Sequence, residues 1–290
     1  MYLFTFLEYL ELAQKLSGFK KGGFKVKRFP NQEIFITLEA DVKDQDCFIL
    51  GSITPPDEVL LASLMLAHTL KKEGAKQITF IAPYLAYTRQ DKPKDKESMA
   101  ADLVGQMFKA SGVTKVITVD IHSEQVAKLF PIELISLSPA SIFAEELKKL
   151  DLKDSFLVAP DQGTLKLMTE VNGLLPDKLP VAHFEKQRTH SGVSHLAFHG
   201  EVAKRAIVID DMLDTGGTLV SACKTLYQKG VKEMIILVTH GLFTGNKWQE
   251  LWSLGVKTIY CTDTLPLSLS LNKDKIKVLS IAEILQKALI

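Results

Sequence analysis

"AIVIDDMLDTGGTLVSA", residues Ala206 to Ala222, decides how this chain is read. Ala206 to Ile209 form a short apolar run of the kind that makes a buried strand. "DTGGT" then turns into "GTLVSACKTLYQKG", which has helical spacing. A Gly-rich turn from strand to helix leaves backbone N–H groups pointing outward, where a phosphate settles. Yet Asp210, Asp211 and Asp214 crowd the same turn. A helix cap needs one acid, so three call for a different partner. Carboxylates accept hydrogen bonds from sugar hydroxyls. Gly216 and Gly217 let the backbone approach an anion, and Thr215 and Thr218 add hydroxyl donors. The turn therefore reads as a receptor for a phosphorylated sugar. It matches neither the Walker A pattern nor the dinucleotide pattern G-x-G-x-x-G.

Working outward, short apolar runs alternate with longer amphipathic ones, the signature of an α/β fold. Expected strands are "CFILGS", "QITFIAPY", "KVITVDIH", "SFLVAP", "PVAHFEK", "SHLAFHG", "RAIVIDD", "EMIILVTHG" and "VKTIYC". Expected helices are "DEVLLASLMLAHTLKKEG", "SMAADLVGQMFKASG", "SIFAEELKKL", "GTLKLMTEVNG", "GTLVSACKTLYQKG" and "KWQELWSLG", several ending in Gly as a C-cap does. In the first helix Leu60, Leu61, Leu64, Met65 and His68 share a face, which makes His68 a core or boundary histidine rather than a ligand. The pattern runs twice, with "PIELISLSPASIF" as the crossing point, and 290 residues suit two domains.

Composition excludes several classes. Lys and Arg number 35 against 34 Asp and Glu, so no global basic field favours nucleic acid. Cys47, Cys223 and Cys261 are far apart with apolar neighbours, as expected of reduced buried thiols in a cytoplasmic protein. No run approaches the roughly 18 apolar residues of a membrane span. "MYLFTFLEYLEL" carries Glu8 and Glu11 and no basic flank, and is expected to be a core element rather than a signal peptide.

In open parallel sheets ligands bind beyond the carboxyl ends of the strands. Polar residues gather there in this chain: Tyr84 to Asp91, Asp120 and His122, Asp161, Lys186 and Arg188, and Asp210 to Thr218. Taken alone, Arg89 and Gln90 read as a solvated loop, "EKQR" as an exposed charged loop, and His122 equally as a structural strand-end residue or a ligand. "DKPKDKE", Asp91 to Glu97, reads as a solvated loop.

The sugar-phosphate segment resembles the phosphoribosyl-diphosphate loop of type I phosphoribosyltransferases. With "PYLAYTRQDK", "TVDIHSEQ", "LVAPDQG" and "FEKQR" in this order, the chain resembles the ribose-phosphate diphosphokinases. That resemblance implies two similar phosphoribosyltransferase-like α/β domains, each a mainly parallel sheet flanked by helices. Residues 1–138 would form the ATP side, joined by the last helix at 280–290, and residues 139–279 the ribose-phosphate side. It implies transfer of the diphosphate of ATP to C1 of ribose 5-phosphate. Lys186 and Arg188 match the mobile catalytic loop. His122 and Asp161 resemble residues that position Mg²⁺. Arg89 and Gln90 match an ATP-contacting triplet. Asp210, Asp211, Asp214, Thr215, Gly216, Gly217 and Thr218, with Arg188, would hold ribose 5-phosphate.

"RFPNQE" resembles the family's Phe-x-Asp-Gly-Glu loop, which reaches the adenine of ATP on a neighbouring subunit. Phe29 and Glu33 match, while Asn31 and Gln32 replace Asp and Gly. A homo-oligomer, at least a dimer, is implied. Other departures are a shortened stretch after "RQD" that carries Lys92 and Lys94 where an Arg is common, and Thr164 in a turn that often holds a second Gly. Two alternatives stand beside the enzyme: a non-catalytic regulatory paralog and a phosphoribosyltransferase.

Overall fold

The structure is a computed structural model that describes residues 1–93, 95–188, 194–267 and 271–289; for 186–188 and 194–196 it describes the backbone alone. The chain divides into two compact units, Met1–Leu137 with Ala282–Ile290, and Ser138–Ile281.

The first unit holds β1 (Tyr2–Thr5), α1 (Leu10–Ala13), β2 (Lys20–Gly22), β3 (Phe24–Arg28), β4 (Ile34–Leu38), β5 (Asp46–Leu50) and α2 (Glu58–Lys72). It continues with β6 (Gln77–Ala82), α3 (Ala100–Ser111), β7 (Lys115–Val119), α4 (Glu124–Leu129) and β8 (Glu133–Leu137). Its sheet runs β2-β1-β5-β6-β7-β8 with every pairing parallel. Parallel strands buried on both faces need continuous apolar runs, and Ile49, Leu50, Phe80, Ile81, Val116 and Ile117 supply them. The antiparallel hairpin of β3 and β4 stands apart as its own two-stranded sheet.

The second unit holds α5 (Ala140–Leu147), β9 (Ser155–Ala159), α6 (Leu165–Leu174), β10 (Val181–Arg188), β11 (Ser194–His199) and β12 (Arg205–Leu213). It continues with α7 (Gly217–Gln228), β13 (Glu233–Gly241), β14 (Val256–Thr262) and β15 (Ile276–Leu279). The order is β11-β10-β9-β12-β13-β14-β15, with β11 the antiparallel edge. Alternate residues of each strand feed opposite layers. Phe156, Val158, Val208 and Ile236 pack with Leu219, Cys223 and Leu226 of α7. Leu157, Ala159, Ile207 and Leu237 pack with Phe143, Leu147, Met168 and Val171 of α5 and α6. From β9 the chain winds outward through β10 and β11, then returns to β12 and winds the other way. The junction of β9 and β12 is therefore the topological switch point, where ligands of such sheets bind. The last helix, α8 (Ala282–Leu289), belongs to the first unit, where Gln286 accepts a 2.7 Å hydrogen bond from the Ser17 N–H.

All nine expected strands form, and six more join them: β1, β2, β3, β4, β8 and β15. These are three to five residues long among the described residues: β2, β8 and β15 lie at sheet edges with mixed side chains, β3 and β4 form the hairpin, and β1, from the apolar N-terminal stretch, lies between β2 and β5 with Leu3 and Phe4 buried. "KWQELWSLG" forms a 3₁₀ helix, Lys247–Leu254, rather than an α-helix. The expectation for His68 is corrected. Ala62, Ser63, Leu64, Leu66, Ala67 and Leu70 face the core, while Leu61 is 50% exposed and His68 is exposed. With so many apolar residues on α2, two overlapping stripes satisfy helical spacing, and only packing against the sheet selects one.

Candidate active site

The carboxyl ends of β9 and β12 bring two acidic turns together. After β9, Asp161 caps a short helical turn, its carboxylate accepting from the Gly163 N–H at 2.9 Å. Thr164 is buried there and donates to the Asp161 carbonyl at 3.2 Å. Its backbone is right-handed, at φ −93°, so the turn makes no demand for glycine. Gln162 donates to Glu185 on β10 at 3.1 Å, and Glu185 faces His199 of β11 at 3.4 Å. His199 in turn stacks on His183, ring centroids 5.0 Å apart. The turn that carries Asp161 is thus tied to the hairpin that carries Lys186 and Arg188. The side chains of those two residues lie outside what the structure describes.

Near the carboxyl end of β12, Asp210 is 6% exposed and Asp211 half-buried, and Asp214, just past the strand, is half-buried too. Asp210 accepts from the Asp211 N–H at 3.0 Å. Burial first, then the carboxylates of Asp211 and Asp161, raise the Asp210 acid well above the usual carboxylate range. Three carboxylates gathered here favour ligands that donate hydrogen bonds or bring cations.

The helix that follows has Gly216 as N-cap and no side-chain cap. The N-cap residue is thus neither Asp214 nor Thr215, and a helix start is where backbone N–H groups meet an incoming anion. The paired glycines do different things. Gly216 has φ +86°, and a β-carbon there would come within 2.7 Å of Trp248. Gly217 has room beside it: among the described residues a β-carbon there would meet Lys247 Nζ and Thr215 Oγ1, each no nearer than 4.0 Å. The first glycine lets the chain turn against a tryptophan; the second leaves room for a ligand.

A neighbouring loop fixes this turn. The N–H groups of Leu242 and Phe243 bond to the Leu213 carbonyl, and that of Thr244 to the Asp214 carbonyl at 3.1 Å. Beneath it, buried His240 meets Thr264 through Nδ1 at 2.9 Å, and Thr262 donates to the Thr239 carbonyl at 2.7 Å. Sequence reading missed this second wall. Its only signal is "THGLFTGNKW", a polar stretch at the end of an apolar strand.

In the first unit the loop after β6 carries Arg89 and Gln90, both exposed, and buried Asp91. Ser123 donates to the Asp91 carboxylate, which joins this loop to the one holding exposed His122. Tyr87 donates to Asp57, and burial together with that bond pushes its phenol up to about 12. At the tip of the β3–β4 hairpin, Phe29, Asn31, Gln32 and Glu33 are all exposed. The Gln32 N–H bonds to the Phe29 carbonyl at 2.8 Å, and that of Phe29 to the Glu33 carbonyl at 2.9 Å. Gln32 takes φ +72°, the left-handed residue that closes a three-residue hairpin. This is the position where the resembling motif has glycine. Asn31 accepts from the Glu33 N–H at 3.2 Å.

Family models match at both ends. Residues 1–112 match the N-terminal domain of ribose phosphate pyrophosphokinase, and residues 178–290 the phosphoribosyl synthetase-associated domain. The chain is 35% identical to ribose-phosphate pyrophosphokinase of Thermosipho africanus, over 97% of this chain and 90% of that protein. It is 33% identical to ribose-phosphate pyrophosphokinase 2 of Saccharomyces cerevisiae, over 90% and 84%.

The chain belongs to the ribose-phosphate pyrophosphokinase family.

A crystal structure of phosphoribosylpyrophosphate synthetase from Mycobacterium smegmatis, 29% identical, superposes with a TM-score of 0.89 over 99% of this chain and 96% of that one. The mixed α/β fold with mainly parallel sheets is therefore the family's fold. Among the described residues no helix is long and apolar enough to cross a membrane, and no group of three or more His, Cys, Asp or Glu could by itself hold a metal.

Proposed function

We propose that this chain transfers the diphosphate of ATP to the C1 hydroxyl of ribose 5-phosphate, giving phosphoribosyl diphosphate and AMP. The observation that carries the reading is the turn Asp210–Thr218: an uncapped helix start beside open space at Gly217, with carboxylates behind it. In this reading the backbone of Asp214–Thr218 holds the 5-phosphate. Asp211, with Asp210 beneath it, accepts from the ribose hydroxyls, which donate hydrogen bonds into a cluster rich in acceptors. That contact fixes the C1 hydroxyl in line with the β-phosphorus of ATP. Arg89 and Gln90 contact ATP, and Lys186 and Arg188 stabilise the charge that spreads over the transferring group. Phosphoryl transfer is served mainly by positioning and charge.

The donor set fits a magnesium ion held through few protein ligands. Asp161 is a half-buried oxygen donor beside two further carboxylates, and Mg²⁺ keeps waters and substrate phosphates as its other ligands. Asp161 and His122 would hold it, and when bound it neutralises charge on the ATP phosphates. The exposed Phe29–Glu33 tip supports adenine recognition across subunits and hence a homo-oligomer of two or more chains. Three free, buried cysteines fit the cytoplasm.

The test is AMP release from ATP and ribose 5-phosphate with Mg²⁺. No AMP under any metal, phosphate or nucleotide condition overturns the reading. Lys186→Ala is expected to lower turnover about 10²–10³-fold while ribose 5-phosphate still binds.

A further inference from the structure

Resting on the sugar-phosphate reading of the Asp210–Thr218 turn, we propose that Lys247 is a phosphate-binding residue of that site. Its ammonium supplies the cradle with a positive charge that the turn itself lacks.

The turn offers an anion only neutral donors: backbone N–H groups and the hydroxyls of Thr215 and Thr218. Its charged members, Asp210, Asp211 and Asp214, all repel one. A phosphate dianion there needs a cation nearby, since charge-assisted hydrogen bonds are about twice as strong as neutral ones. Lys247 is 41 positions beyond Ala206, where the strand that feeds the turn becomes buried, and nothing in local sequence connects the two. The fold does. Lys247 Nζ and Thr215 Oγ1 both lie 4.0 Å from the point where a β-carbon on Gly217 would stand. An ammonium and a hydroxyl thus flank the same open space at the start of α7.

Lys247 is also held in place from its own side. It begins the 3₁₀ helix Lys247–Leu254. The next residue, Trp248, is 6% exposed and packs on Gly216. The Trp248 indole donates to the Gly245 carbonyl at 3.0 Å and makes edge contacts with Phe243 and Trp252. Thr244, three residues earlier, bonds to the Asp214 carbonyl. These bonds tie the loop to the turn, and the exposed Lys247 side chain extends from that anchored loop. The side chain is exposed, and among the described residues no ion pair engages it. A cation placed beside an anion site without a protein partner is available to the ligand.

This assigns a narrow role. Lys247 touches the 5-phosphate, far along the substrate from the C1 hydroxyl that reacts. It contributes binding that is equal in ground and transition states, which changes KM and leaves kcat alone.

The experiment compares Lys247→Gln, Lys247→Arg and Lys257→Gln with the wild type in AMP release. Lys257 is a charge control, exposed at the opposite, amino end of β14. Lys247→Gln is expected to raise the KM for ribose 5-phosphate about three- to tenfold, within the range for a partly solvated charged contact. The KM for ATP and kcat should change less than about twofold, as uniform binding implies, and the melting temperature should match the wild type. Lys247→Arg should recover most of the loss, and Lys257→Gln should show none. An unchanged KM for ribose 5-phosphate in Lys247→Gln overturns the proposal, as does an equal loss in Lys257→Gln. Calorimetric titration of ribose 5-phosphate into the same proteins separates this result from the reaction itself. Were the wild type to release no AMP, weaker binding in Lys247→Gln alone would still support the contact, and equal binding would still overturn it.

Discussion

Two loops of this chain are built in opposite ways. The Asp210–Thr218 turn is anchored by a buried strand, a helix start and the Leu242–Thr244 backbone, with Asp210 buried and Asp211 and Asp214 half-buried. The Phe29–Glu33 tip is exposed throughout, with Phe29 half exposed and its ring tilted against Phe35, centroids 4.4 Å apart. One loop has its shape set within its own unit. The other presents an aromatic face with its outer side unfilled, as a loop completed by a second molecule would. Rigid anchoring suits a small dianionic substrate whose position fixes the reaction. A projecting tip suits a flat base, which needs stacking more than a cage.

The sharpest way to break this contrast is inside the rigid turn. Gly216→Ala is expected to cost roughly 2–4 kcal/mol, combining left-handed backbone with a clash against Trp248. The melting temperature should fall by several degrees. Gly217→Ala, in open space, should melt close to wild type and instead weaken ribose 5-phosphate binding. Equal melting losses in both would show that the two glycines are not divided as described.

At the hairpin, Phe29→Ala should raise the KM for ATP about tenfold, since base stacking on an aromatic is worth about 1–3 kcal/mol. Its melting temperature should hold. Mixed and exchanged with Lys186→Ala chains, which keep Phe29, it should regain activity above either parent. No gain on mixing would mean the tip serves its own subunit.

The depth of Asp210 gives a third, pH-dependent test. Its folded-state pKa lies above the unfolded value near 3.9, so the folded state binds the extra proton between those two values. The favourable contribution is full below about pH 4 and is lost as pH rises through the folded pKa. Metal-free Asp210→Asn should therefore melt higher than wild type at neutral pH, with the gain shrinking toward pH 4, while turnover falls. A gain that does not vary with pH would sink the account. The smallest effect belongs to Gln32→Gly, which releases a left-handed side chain but frees the unfolded chain. The net gain should be at most about 1 kcal/mol, read by chemical denaturation.

Much of this was legible beforehand. Runs such as "RAIVIDD" and "EMIILVTHG" are buried on both faces and cannot be anything but central strands. The chemistry of "DDMLDTGGT" also follows from residue types. The short edge strands β2, β8 and β15 were not legible, because they bury little and carry mixed side chains. His68 was misplaced because α2 has two apolar stripes. Gly216 and Gly217 look equivalent in sequence and differ only through Trp248, which is 32 positions from Gly216. Lys247 reads as an ordinary exposed helix charge until the fold sets it beside Gly217.

By itself, then, the sequence determined the α/β class, the strands whose apolar runs leave no alternative, and a strand-to-helix turn whose glycines, hydroxyls and acids suit a phosphorylated sugar. Those properties are local, arising from side-chain burial and backbone freedom within a few residues. The tertiary structure decided which acid is buried, which glycine is structural, which face of α2 meets the sheet, and which distant lysine reaches the turn. Each of those depends on close packing between segments far apart in the chain, which no local pattern records.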